Sequence, residues 1–184
     1  MSPVLFINNC MQTVKKAHVL GNGPSIELYT PADGFIIGCN IQEHPVDVSV
    51  VLDCKPFLKY CGNRSLFQHK PIITSVYAMQ TISEQEIEHE FEIWHKVPYL
   101  EKYMSAGHVA VNWLLDNVHY DEIHLWGFDS IWEDTQETRT DKYIERSRAQ
   151  FDLFIHWRER WQKYKGFNII VHNTLEGTQL KELL

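Results

Sequence analysis

No apolar run in this 184-residue chain approaches the length of a membrane span, so none is expected. Met1 to Asn9 lacks the basic start and long apolar core of a signal peptide. The cysteines, Cys10, Cys39, Cys54 and Cys61, form no C-x-x-C pair and sit among apolar residues. They read as reduced, packed thiols of a cytosolic protein. The ten histidines are scattered, with no H-E-x-x-H and no zinc spacing. His89 and His95, set among glutamates, read as part of a solvated charged face. There is no G-x-S-x-G elbow and no Walker loop with its lysine. A D-x-D motif is missing too, Glu133-Asp134 being the nearest acidic pair. No resident metal or cofactor is implied. A net charge of -7 argues against a broad nucleic-acid or acidic-membrane surface. Repeats and low-complexity linkers are absent.

What remains is a globular chain of one domain, residues 1–184, long enough to bury a proper core. Val14 to Leu20, Phe35 to Asn40, Val46 to Leu52 and Pro71 to Val76 are apolar runs that read as buried strands. Glu122 to Trp126 and Phe167 to Val171 read the same way, and Val4 to Ile7 as an edge strand or docked arm. Such uninterrupted runs, separated by helical patterns, indicate a mainly parallel sheet flanked by helices on both faces. Ser105 to Val118 is a helix with Ser105 placed as its cap. Glu84 to Trp94 reads as a helical start passing into an extended stretch. Residues 130–147 are polar and read as a short lid. A long helix follows to Tyr164, with Phe151, Phe154, Trp157, Trp161 and Tyr164 as a packing stripe ended by Gly166. Leu175 to Leu184 reads as a terminal helix. The expected fold is a single Rossmann-like α/β domain.

Within it, Val19-Leu20-Gly21-Asn22-Gly23-Pro24-Ser25 joins a buried strand to a tight turn and a helix start. Two glycines permit close approach of a ligand to the main chain, and Pro24 suits a first helical turn. Free N–H groups at a helix start form a seat for phosphate. The run reads either as a phosphate or nucleotide loop or as an ordinary βα turn. Ile26 stands where the G-x-G-x-x-G fingerprint needs its third glycine, which disfavours a standard NAD site. Asn22, Asn40, Asp53, Asp129 and Asn173 end successive apolar runs, at the side of the sheet where such folds bind ligands. Ser105-Ala106-Gly107 is a second candidate anion seat.

Gly21-Asn22-Gly23-Pro24-Ser25, Gly38-Cys39-Asn40, Ser105-Ala106-Gly107 and Gly127-Phe128-Asp129 together resemble the small bacterial sialyltransferases of lipooligosaccharide synthesis. Order and approximate spacing follow that family along most of the chain. The first loop also resembles that of the archaeal 6-hydroxymethylpterin pyrophosphokinases. The sialyltransferase resemblance implies a CMP-linked donor, with Gly21, Asn22, Gly23, Pro24, Ser25 and Asn40 against its nucleotide. Asp53 stands where that family carries asparagine. Ser105, Ala106 and Gly107 stand in for a Thr-Ser-Gly, and Gly127 and Asp129 match a Gly-x-Asp. The family's lid histidine, its catalytic base, aligns with Lys142 beside Tyr143. A lysine accepts a proton only where burial or a positive neighbour lowers its pKa. A charged Lys142 would instead neutralise a phosphate with Tyr143 and Arg146. Asp141, Lys142, Glu145 and His108 are the candidate bases.

The expected function is therefore a nucleotide-sugar-dependent glycosyltransferase with a carbohydrate acceptor. One alternative is a pyrophosphokinase using ATP, with Mg²⁺ held by Asp53 and Asp129 if their strand ends adjoin. The other is a catalytically inactive nucleotide-binding relic. The composition is compatible with a homo-oligomer.

Overall fold

The computed structural model describes residues 16–66, 71–117, 120–132 and 153–184. Its apolar runs become strands β1 (Lys16–Leu20), β2 (Phe35–Cys39), β3 (Val48–Val51) and β4 (Pro71–Ser75). Helices α1 (Cys54–Gly62) and α2 (Val76–Glu84) follow β3 and β4. Next come β5 (Glu92–Val97), α3 (Ala106–Asn117), β6 (Glu122–Trp126) and α4 (Leu153–Trp161). The chain closes with β7 (Ile169–Val171), β8 (Thr178–Gln179) and α5 (Leu180–Leu183).

These strands form one eight-stranded sheet in the order β5-β4-β3-β2-β1-β6-β7-β8. Every pairing is parallel except the last, β7 with β8. Strand side chains alternate between faces, so each run feeds two cores. Ala17, Val19, Ile37, Val48, Val50, Ile123 and Leu125 face α3 and α4, where Val111, Leu114 and Trp161 are buried. Val51 and Ile72 face the opposite way, onto Phe57 and Tyr60 of α1 and Ala78 and Ile82 of α2. The Rossmann-like α/β arrangement is as the strand pattern predicts. Among the described residues, no helix is long and apolar enough to cross a membrane.

Three local expectations change. The helix expected after the glycine turn is a 3-10 helix of five residues, Pro24–Leu28. The expected terminal helix over Leu175 to Leu184 is mostly a hairpin. There Gly177, at φ +78°, turns the chain back, and Thr178 pairs with Val171 before one helical turn at Leu180–Leu183. Helices α1 and α2 have no counterpart among the elements expected from sequence. The ambiguous stretch resolves as expected, with a 3-10 turn at Glu88–Glu90 passing into β5. Val4 to Ile7, Phe151 and lid residues 133–147 lie outside the described residues.

The chain adds β2 to β5 on one side of β1, then crosses back through α3 to place β6 on the other. The carboxyl ends of β1 and β6 are thus the topological switch point, where open α/β sheets form their ligand crevice.

Candidate functional site

Two loops leave the sheet at this point, and they hold each other by their backbones. The Gly21 amide donates to the Trp126 carbonyl at 2.7 Å, and the Gly23 amide to the Gly127 carbonyl at 2.9 Å. A Cβ on Gly21 would lie 2.5 Å from the Gly127 carbonyl oxygen. On Gly23 it would fall on the Asp129 carboxylate. Gly127 itself sits at φ +73°, a region that suits glycine. The glycines are required here by the approach of one chain segment to another.

The anion at this turn is the protein's own. The Ser25 amide donates to both carboxylate oxygens of Asp129, at 3.0 and 3.1 Å, and the Ser25 hydroxyl to one of them at 2.8 Å. Asp129 is buried. Pro24 opens a 3-10 helix too short to carry a macrodipole, and the Ser25 N–H is engaged. A phosphate seat at this helix start is thus replaced by a buried carboxylate.

Asn40 ends β2 at φ +59°, a left-handed conformation that asparagine tolerates, and its amide donates to the Val50 carbonyl at 2.9 Å. The side chain of Asn22 reaches toward it, Nδ2 donating to the Cys39 carbonyl at 3.1 Å. Between them lies a residue the sequence reading missed. Gln42 is buried, and its Nε2 lies 2.9 to 3.1 Å from the Leu20, Gly21 and Cys39 carbonyls and from Asn22 Oδ1. It fits because Gly38 has no side chain, and a Cβ there would lie 2.7 Å from Gln42 Cγ. A glycine four residues before a glutamine was the available signal.

Ser105, Ala106 and Gly107 join the same constellation through Phe128, whose ring fills the space a Cβ on Gly107 would need. Ser105 caps α3 reciprocally with His108. The Ser105 amide and hydroxyl lie 3.1 and 2.8 Å from His108 Nδ1, and the His108 amide approaches Ser105 Oγ at 3.5 Å. This is a capping box with histidine in the usual Glu or Gln position. His108 is 0 % exposed, and its ring centroid lies 4.3 Å from that of Trp161. Burial pushes its pKa down to about 3. The candidate base His108 is therefore a core capping residue, closed to an acceptor and weakly basic.

Asp53 stands apart. It ends β3 and precedes α1 with no side-chain cap bond. In the sheet, β2 and β1 separate β3 from β6. At the usual strand spacing that is roughly 14 Å, so Asp53 and Asp129 do not adjoin as a magnesium pair would require. Among the described residues, no group of three His, Cys, Asp or Glu side chains is arranged to hold a metal ion. Asn173 accepts from Thr178 Oγ1 at 2.9 Å and serves the terminal hairpin. Asp141, Lys142, Tyr143 and Glu145 lie outside the described residues.

No family model and no curated protein matches the chain.

Proposed function

We propose that the crevice at the carboxyl ends of β1 and β6 binds a nucleotide. We further propose that the protein is a sialyltransferase-like glycosyltransferase using a nucleotide-activated, CMP-linked sugar donor. One observation carries this reading. The four segments that bear the family likeness, spread from Gly21 to Asp129, meet at the switch point of the sheet.

The chemistry divides the donor between two regions. Asn22 is held in place by Gln42 and the Cys39 carbonyl, so it offers a ligand a preset wall. Asn40 adds an amide that both donates and accepts, suited to a base edge or ribose. The Asp129 carboxylate accepts hydroxyl groups and repels phosphate. The phosphate then belongs at the N-terminus of α3, where the amides of Ala106 and Gly107 head a helix of 12 residues. In the transfer, the acceptor oxygen bonds to the sugar carbon as its bond to the donor phosphate breaks. CMP leaves with the bonding electrons, and a base takes the acceptor's proton. Asp141, Glu145 and a neutral Lys142 are the remaining candidates for that base. The protein is proposed to work in the cytoplasm, without a resident cofactor, on a carbohydrate acceptor.

A thermal-shift panel of CMP, CDP, CTP, UDP, GDP, ADP and ATP, each with and without Mg²⁺, tests the reading. A ligand that binds only the folded chain raises its melting temperature. CMP or CDP stabilising the protein without metal is the expected result. Metal-dependent stabilisation by ATP alone overturns it in favour of pyrophosphoryl transfer. Silence across the panel at millimolar concentrations overturns it altogether.

A further inference from the structure

The opposite face of β1 and β6 carries a cluster that the proposed reaction does not use. His18 and His124 are register partners on adjacent strands, and His172 follows β7. All three are buried, as is Trp126 beside them. The rings of His18 and His124 stack with centroids 5.0 Å apart, and those of His124 and His172 5.1 Å apart. The Trp126 ring lies on His172 at 3.4 Å, with the planes 4° from parallel.

The donor-only indole of Trp126 and the acceptor-only carboxylate of Glu122 set the protons of His18 and His124 that face them. Trp126 Nε1 is only a donor and lies 3.1 Å from His18 Nδ1, so that nitrogen carries no proton. The proton of His18 is on Nε2, which faces the Asp33 carbonyl at 3.3 Å. His124 Nε2 donates to the Glu122 carboxylate at 3.1 Å. His124 Nδ1 and His172 Nε2 lie 2.8 Å apart and share one proton. With all three imidazoles neutral, each of these contacts holds one proton, and His172 Nδ1 is buried without a hydrogen-bond partner. A proton added to His18 Nδ1 would meet the indole N–H head-on. A second proton in the 2.8 Å contact between His124 Nδ1 and His172 Nε2 would place two hydrogens within it.

The charged surroundings give little relief. From β1, Lys16 adds positive charge and takes part of Glu122, 3.6 Å from its ammonium. Glu122 of β6 is the carboxylate that contacts the cluster among the described residues. Tyr29, from the segment before β2, packs edge-on to His18 and Trp126 and separates them from His44. Asp47 is turned away to the Ile36 amide, at 2.7 Å. On the β7 side, the Thr174 and Leu175 backbones and Gly177 adjoin His172.

Trp126 connects this face to the crevice, because its carbonyl accepts the Gly21 amide. We propose that His18, His124, His172 and Trp126 form an acid-sensitive latch, which holds the Gly21–Gly23 turn against β6 when neutral and releases it when protonated. Burial points the same way, pushing His18 and His172 down to about 4 and lowering His124. Folded values below the unfolded one mean that the latch is intact above the ordinary histidine range. It is lost as pH falls from about 6.5 towards 4.

Residue-resolved hydrogen exchange on the full chain, between about pH 7.5 and about pH 5, tests the latch. Protection factors for the Gly21 and Gly23 amides should fall about tenfold or more, while Val111 and Leu114 of α3 hold steady. His18→Gln keeps a donor for Asp33 and an acceptor for Trp126 but gains no proton, so it should shrink the fall. If that variant does not fold, ring titration of the unmodified protein by NMR decides. His18 must titrate well below 6.5, and the Gly21 and Gly23 signals must follow its course. Constant protection at the two glycines overturns the proposal. So does a loss shared equally by α3, or one unchanged in His18→Gln.

Discussion

Asp129 and Ser25, 104 positions apart in sequence, are joined by the Ser25 amide on both carboxylate oxygens and by a 2.8 Å hydroxyl bond. That union fastens the turn after β1 to the turn after β6. It also changes the chemistry expected of the crevice, since a fixed negative charge stands where a phosphate was expected. Asp129→Ala strands the Ser25 donors and should cost about 2 to 3 kcal/mol. Asp129→Asn keeps an acceptor and should cost about half as much. Urea unfolding of the two variants measures the difference.

Glycine substitutions should separate by what each Cβ meets. Gly107→Ala drives a methyl into the Phe128 ring, with an overpacking cost of about 1 to 3 kcal/mol. Phe128→Leu should recover part of it, and a double-mutant cycle reads that coupling. At Gly62, the last residue of α1, a Cβ meets nothing within 4 Å. Gly62→Ala should stabilise by about 0.5 kcal/mol, through a less flexible unfolded chain. Equal effects at the two sites would contradict the close-approach account.

Gln42→Ala removes the donor shared among Leu20, Gly21, Asn22 and Cys39. The expected cost is about 2 kcal/mol, because buried acceptors lose their partner. Gln42→Glu should be worse, since a carboxylate would face four acceptors. Chemical denaturation of both variants, compared at neutral pH, checks the order.

His108 offers a pH test. Its folded pKa is about 3 against an ordinary 6.5, so protonation favours the unfolded chain. Its contribution is complete above about pH 6.5 and is lost as pH falls from there towards 3. His108→Gln restores the usual capping-box acceptor without a titrating ring. Its unfolding midpoint should fall less than that of the unmodified protein between about pH 7 and about pH 5.

The parts legible in the sequence were those written as continuous runs. β1, β2 and β6 are mainly apolar runs closed by Gly21, Asn40 and Gly127, and the structure sets β1 between β2 and β6. The meaning of the glycines was not legible. Gly21 and Gly23 look the same whether a ligand or another loop approaches, and only pairing with Gly127 and Asp129 tells which. Helix α1 was hidden by Pro56 in its first turn and by its short length. The histidine cluster was hidden differently. His18, His124 and His172 lack any local spacing, and the register of β1, β6 and β7 alone brings them together.

The central claim is a nucleotide in the crevice between β1 and β6. Backbone amide NMR of the labelled protein, titrated with CMP, tests it most directly. The account predicts saturable shifts at Gly21 to Gly23, Ser25, Asn40, Ser105 to Gly107 and Gly127 to Asp129, with α5 unmoved. No shifts at millimolar CMP, or shifts confined to residues away from these four segments, would contradict it.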